Sequence, residues 1–206
     1  FIPRSAVEIA AGDGTVMRVR VVDCVGFLVP GAEGTEENQM PRMVKTPWLE
    51  TPVPFQEAAR IGTQKVIRDH ATIGIVITTD GSFGELPRSS FLEAEKETIT
   101  ELQKIGKPFL VIVNSAEPSG EAALDTAQYL KEQYHVTPMI LNCEKMGKRE
   151  LNEVFEQFLL EFPLTRVIFH IPGWAETLEE DHWLKQDLFQ SVKKTMEHLN
   201  TVRDIY

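Results

Sequence analysis

From residue 55 to residue 162 the chain alternates between helical and strand-like text, and that order narrows the choice of fold more than any other feature. Residues 55–70 read as a helix with Ala58, Ala59, Gly62 and Val66 along one side. TIGIVITT, at 72–79, reads as a buried strand. Residues 89–105 follow as a helix that Ser90 can cap, with Glu93 three residues on as capping-box partner and Gly106 at its end. KPFLVIVN, at 107–114, is a second buried strand. A helix at Glu121–Tyr134, a strand at 137–142 and a helix at 148–162 complete the order. Such alternation means βαβ units on a parallel sheet with right-handed crossovers. Parallel strands end on one edge, and open α/β sheets bind ligands there.

The flanking segments are written differently. Residues 6–11 and 16–25 are β-compatible runs joined by Gly12-Asp13-Gly14, a hairpin signal. The second run, VMRVRVVDCVG with its following Gly, alternates and then turns mostly apolar, as an interior strand does. Residues 27–54 carry Pro30, Gly31, Gly34, Pro41, Pro47, Pro52 and Pro54, which reads as a long loop, functional or disordered. A short strand is expected at 166–170 and a long helix from about 175 to 206, an extension or the start of a second domain. The expected fold is α/β: three layers, a mostly parallel central sheet and one antiparallel hairpin strand.

Composition bounds what such a chain does. Apolar residues make up 42% and charged residues 25% of the 206, so a packed core is available. The net charge of −10 argues against a nucleic-acid partner, which needs basic surface to displace counterions. It does not exclude a nucleotide, since such sites use backbone N–H groups and a metal ion. Two cysteines, Cys24 and Cys143, have no zinc-type spacing, and the default compartment is the reducing cytoplasm. No run of apolar residues is long enough to span a bilayer. The chain opens on Phe1 rather than Met, and reads as a truncated polypeptide.

Four signals bear on chemistry. In Val21-Val22-Asp23-Cys24-Val25-Gly26 a hydrophobic run ends in Asp, with Gly three residues on. In P-loop hydrolases such an Asp holds magnesium, and the Gly offers its N–H to the γ-phosphate, where a side chain would obstruct. The loop beyond is then ordered by that phosphate. The same letters also serve an ordinary strand-end turn; it is the order of hairpin, long loop, helix and parallel strands that matches GTPase-like domains. The second signal is Asn114-Ser115-Ala116-Glu117, where GTPases carry N-K-x-D to hold and read the base. Ser115 and Glu117 replace Lys and Asp, so guanine reading is doubtful, and a plain βα turn is the competing account. The third, Asn142-Cys143-Glu144, sits where GTPases place another base-contacting loop. The fourth is an absence: G-x-x-x-x-G-K-[ST] does not occur, so the phosphate-cradling loop and its Lys are expected before Phe1.

Other candidates are bland. His70, His135, His170, His182 and His198 are scattered. Glu33, Glu36 and Glu37 suit a solvated loop face, and Trp48, Trp174 and Trp183 suit packing anchors. Phe27 follows Gly26 where GTPases often keep a water-orienting Gln, and an apolar side chain cannot do that work.

VVDCVGF, VPGAEG, PRMVKTPW, PVPFQEAARIGTQKVI, IGIVITTDGS, GKPFLVIVNS and HWLKQDLFQSVKKT together resemble the stage IV sporulation protein A family of endospore-forming bacteria, over essentially the whole chain. The resemblance implies a three-layer P-loop ATPase domain related to the translation-factor GTPases over residues 1–163, with residues 164–206 the boundary with a middle domain. It implies ATP and Mg2+ as ligands, with Asp23 as the Walker B aspartate and metal ligand and Gly26 as its turn partner. Asn114, Ser115, Glu117 and Cys143 would shape the base pocket. The Walker A lysine and threonine-rich switch would precede Phe1. Hydrolysis would drive self-assembly into a polymer, the spore-coat basement layer, in the mother-cell cytoplasm at the outer forespore membrane. A small amphipathic membrane-binding peptide and other coat proteins would be partners, through regions outside this chain.

Overall fold

Residues 3–10, 14, 16–32, 34–37 and 40–205 are described in the computed structural model. The chain divides into two compact units, Phe1–Glu156 and Gln157–Tyr206.

The first unit begins with β1 (Val7–Ala10) and β2 (Val16–Val19), an antiparallel pair with Val7 opposite Val19 and Ala10 opposite Val16. Gly12 and Asp13 of the expected turn lie outside the described residues; Gly14 takes φ +85°, open only to glycine at no cost. The strand expected over 16–25 stops at Val19, a correction to the sequence reading. A ladder continued in the observed register could not run through to Val25 in any case, because Pro3, opposite Asp23, has no N–H to give it. Among the described residues β2 pairs with β1 alone, not with the parallel sheet. Val21 and Val25 are exposed rather than interior.

The expected long loop is partly organised. β3 (Glu36–Glu37) pairs with β4 (Met40–Pro41), and β5 (Met43–Val44) with β6 (Val53–Pro54), all antiparallel. Glu33 lies outside the described residues, while Glu36 and Glu37 are exposed, as a solvated face requires. Phe27 is buried. Trp48 lies against Gly62, with the Lys65 ammonium 5.8 Å from its ring.

From residue 55 the observed order follows the expected one. Helix α1 (Phe55–Lys65) runs into a wider turn over Val66–His70, closed by Ala71 N–H donating to Val66 C=O at 2.9 Å. Lys107 ends it from across the fold, donating to the carbonyls of Ile67, Arg68 and Ala71 at 2.6–2.7 Å. A cation there complements the negative end of the helix. Then come β7 (Gly74–Thr79), α2 (Leu92–Ile105), β8 (Phe109–Asn114), α3 (Glu121–Tyr134), β9 (Met139–Leu141) and α4 (Lys148–Leu160). The expected Ser90 cap does not form. A single 3-10 turn over Arg88–Phe91 precedes α2, and Ser90 N–H donates to Pro87 C=O instead. Gly106, at φ +71°, does close the helix, taking Leu102 and Gln103 carbonyls.

β7, β8 and β9 form a parallel sheet in that order, with Gly74 opposite Phe109 and Ile112 opposite Met139. β8 is the central strand, and its side chains alternate between two cores. Val111 and Val113 pack with Ile67, Val76, Ile99, Leu102 and Leu130 on one face. Leu110 and Ile112 pack with Val154 on the other. This near-continuous apolar run is what a strand buried on both faces needs. β7 is covered on one face only: Val76 is buried, whereas Ile75 and Ile77 are exposed.

In the second unit the expected strand at 166–170 is absent, and the expected single helix is broken into three pieces. Gly173–Glu176 is a short helix, α5, and Thr177 donates its hydroxyl hydrogen to Trp174 C=O at 2.7 Å where the chain turns out of it. α6 (Trp183–His198) starts where His182 Nδ1 accepts from Leu184 N–H. Asp204 then gathers Asn200 N–H and Thr201 N–H at 2.8 and 2.7 Å, fixing a last turn over Val202–Ile205. These local side-chain bonds outcompete helix continuation. Arg203 ties that turn to Glu161 and Gln157.

Candidate functional site

Because β7, β8 and β9 are parallel and in register, Thr79, Asn114 and Leu141 stand side by side at their C-terminal ends. The loops that leave them therefore share one edge. Side chains lock these loops together.

Asp80, just beyond β7, is the hub. Its Oδ2 accepts from the Ser115 hydroxyl at 2.6 Å. Its Oδ1 accepts from Ser82 N–H at 2.9 Å and from the Ser82 hydroxyl. The serine oxygens then accept from the loop after β8: Ser82 Oγ from Ala116 N–H at 2.8 Å, Ser115 Oγ from Glu117 N–H at 3.1 Å. Ser115 is fully buried, and its own N–H donates to Leu141 C=O at 2.9 Å. Burial pushes the Asp80 carboxyl up, but the hydrogen bonds from Ser115 and Ser82 outweigh it and leave it below its ordinary range.

Asn114 braces the third loop. Its Oδ1 accepts from Cys143 N–H at 2.9 Å, and Asn142 Nδ2 reaches Ala116 C=O at 3.3 Å. Burial raises the Cys143 thiol, so it is not a ready thiolate. Glu117 is exposed at the turn into α3, where a Cβ on Gly120 would stand 3.0 Å from Glu117 C=O.

A second polar cluster anchors the segment between β7 and α2. The Glu95 carboxylate, almost wholly buried, accepts from the Thr78 hydroxyl at 2.7 Å and from Arg88 at 2.9 Å. The Arg88 guanidinium also lies 5.9 Å from the Tyr129 ring centre. Gly81, at φ +91°, makes this packing feasible: a Cβ there would stand 3.0 Å from Arg88 N.

The structure thus brings Asn114, Ser115, Glu117 and Cys143 to one edge. It adds Asp80 and Ser82, which the sequence reading did not single out. The only cue in Thr79-Asp80-Gly81-Ser82 is an Asp at a strand end with Gly directly after it, not the Asp with Gly three residues on that marks Asp23. Asp23 itself does not tip a strand of the central sheet, which corrects that expectation. It is exposed in the irregular segment 20–26, and Gly26 there takes φ +79°. A single exposed carboxylate is a hard oxygen donor of the kind Mg2+ takes beside water and phosphate, so the chemistry of Asp23 suits that ion. Among the described residues no group of three or more His, Cys, Asp or Glu side chains could hold a metal. Nor is any described helix long and apolar enough to cross a membrane.

A parallel sheet flanked by helices, with loops clustered at its C-terminal edge, is an α/β arrangement consistent with a P-loop nucleotide-hydrolase domain. The model of the stage IV sporulation protein A ATPase domain matches residues 1–163, and that of the same family's middle domain matches residues 164–206. The chain belongs to the stage IV sporulation protein A family. It is 42% identical over 205 residues to stage IV sporulation protein A of Bacillus anthracis and of Bacillus subtilis (strain 168). The figure is 41% for that of Clostridioides difficile (strain 630). Each alignment covers 100% of this chain and 42% of the relative, so the chain spans under half the length of the relatives it matches. No solved structure matches the chain.

Proposed function

We propose that this chain is the nucleotide-handling part of an ATPase, converting ATP and water to ADP and phosphate, that assembles into the basement layer of the spore coat. The observation that carries the reading is the hydrogen-bonded edge formed by Asp80, Ser82, Asn114, Ser115 and Cys143. It pre-shapes the loops where this fold class takes a base. The ATPase-domain family model and the sporulation proteins among the relatives support it.

In this reading the base lies against Asn114–Glu117 and the Cys143 loop. Glu117 stands where guanine readers carry the shorter Asp, which favours ATP over GTP. Residues beyond this chain supply the phosphate cradle. ATP arrives with Mg2+, which neutralises phosphate charge, and Asp23 is the carboxylate that would hold it. Gly26 adjoins the γ-phosphate, and segment 27–54 responds to nucleotide state. The polymer forms from copies of the protein in the mother-cell cytoplasm, peripheral to the outer forespore membrane. A small amphipathic membrane-binding peptide and coat proteins join through regions outside this chain.

The exposed, irregular setting of Asp23 favours a second reading, in which the protein is chiefly a scaffold and nucleotide is structural. ATP turnover by the full-length protein separates the two. Asp23→Ala is expected to lower kcat/KM at least about tenfold, a loss of roughly 1.4 kcal/mol of transition-state stabilisation. Equal turnover by both proteins, with assembly unchanged in the absence of nucleotide, would leave the scaffold reading standing. An excess of GTP should compete poorly for the ATP site.

A further inference from the structure

We propose that Asp80 is a positioning residue that sets the Asn114–Glu117 loop for the nucleotide base. The inference rests on the nucleotide reading above and deepens it by giving one residue of that edge a particular role.

Hydrogen-bond polarity fixes how the two serines face Asp80. A carboxylate accepts hydrogen bonds and donates none. Both serine hydroxyls that meet Asp80 must therefore aim their hydrogens at it. Their oxygen lone pairs are then committed to face away, and each accepts a backbone N–H of the loop after β8. Ser82 Oγ takes Ala116 N–H, and Ser115 Oγ takes Glu117 N–H. The sheet ladder itself holds only the Ser115 N–H, on Leu141 C=O. Past that point, two successive N–H groups of the loop depend on hydroxyls that Asp80 has oriented.

The same carboxylate accepts the Ser82 N–H, so the loop after β7 is fixed by it as well. Two loops from neighbouring strands are set by one acidic side chain. Its negative charge strengthens each bond over a neutral equivalent. The depressed Asp80 carboxyl agrees with this, since the bonds stabilise its charged form.

An amide in place of the carboxylate keeps the shape and breaks the polarity. Asp80→Asn puts an NH2 against one of the hydroxyl hydrogens. One serine must turn its hydroxyl hydrogen away, and its oxygen, no longer oriented by Asp80, holds the loop N–H less firmly. Ser115→Ala removes the Glu117 N–H acceptor directly and leaves Asp80 in place.

The test measures binding of ATP and of inorganic tripolyphosphate, which lacks a base, to the full-length protein by calorimetry. D80N is expected to weaken ATP about tenfold and tripolyphosphate less than about twofold, the scale of one lost hydrogen bond to a charged group. S115A should show the same split, and the double variant should be no worse than about twofold beyond either single one, because both act through one unit. Equal weakening of the two ligands would mean general damage to the fold and would overturn the inference, as would unchanged ATP affinity in both variants. Should the unsubstituted protein bind tripolyphosphate and ATP alike, the nucleotide-site reading fails first. A protein whose preference for ATP over tripolyphosphate is undiminished in both variants sinks the Asp80 inference alone.

Discussion

Glu95 and Asp80 are acidic residues at the same end of the sheet with opposite settings. Glu95 is 4% exposed and survives there because Arg88 and Thr78 both bond it. A buried carboxylate with its cation removed, or a cation with its carboxylate removed, is costly. Glu95→Ala should therefore destabilise the fold by about 3 kcal/mol, at the low end for buried pairs because Arg88 keeps some exposure. Urea unfolding checks this. A change below about 0.5 kcal/mol, the range of ordinary surface substitutions, would show that the cluster is not structural. Asp80 is only partly buried, and its bonds go to loops rather than to the core, so its effect is expected in binding more than in stability.

At the scale of elements, the two-sided core is set by β8, with helices packed against its flanks. α3 makes the point within one helix. Leu130 is fully buried against Val111 and Val113, while Leu124 is 54% exposed. Leu130→Ala should cost about 3 kcal/mol by unfolding, from lost transfer energy and the cavity left behind. Leu124→Ala should cost less than about 0.5 kcal/mol. Similar costs at both positions would contradict the packing described.

The parts of the fold legible in the sequence are those where one physical signal acts alone. TIGIVITT and KPFLVIVN are short apolar runs between helical periods, and both became parallel strands. Gly106 ended its helix because, lacking a Cβ, it takes the left-handed conformation at no steric cost. The misreadings fall where two signals compete. Residues 16–25 look like a strand throughout, yet pairing depends on a partner, and the ladder stops at Val19. Residues 175–206 carry helical text, but the turns bonded by Thr177, His182 and Asp204 break it locally. Ser90 looked like a cap, but the chain spends that position on a 3-10 turn. At the site, Asn114 was visible as a motif letter, whereas Asp80 emerges only once the sheet brings its loop beside Ser115.

On the scale of the whole molecule, family membership covers both units, and the relatives extend well beyond them. What these residues contribute is an edge where three loops are already wired together before any ligand arrives. If nucleotide binds there as proposed, that wiring lowers the ordering cost of binding, the general advantage of preorganisation. The most direct test is hydrogen–deuterium exchange on the full-length protein with and without ATP. The account predicts slower amide exchange on adding ATP at residues 80–82, 114–117 and 142–145, with little change on α6. Protection that leaves those three loops untouched would contradict the assignment of the nucleotide to this edge.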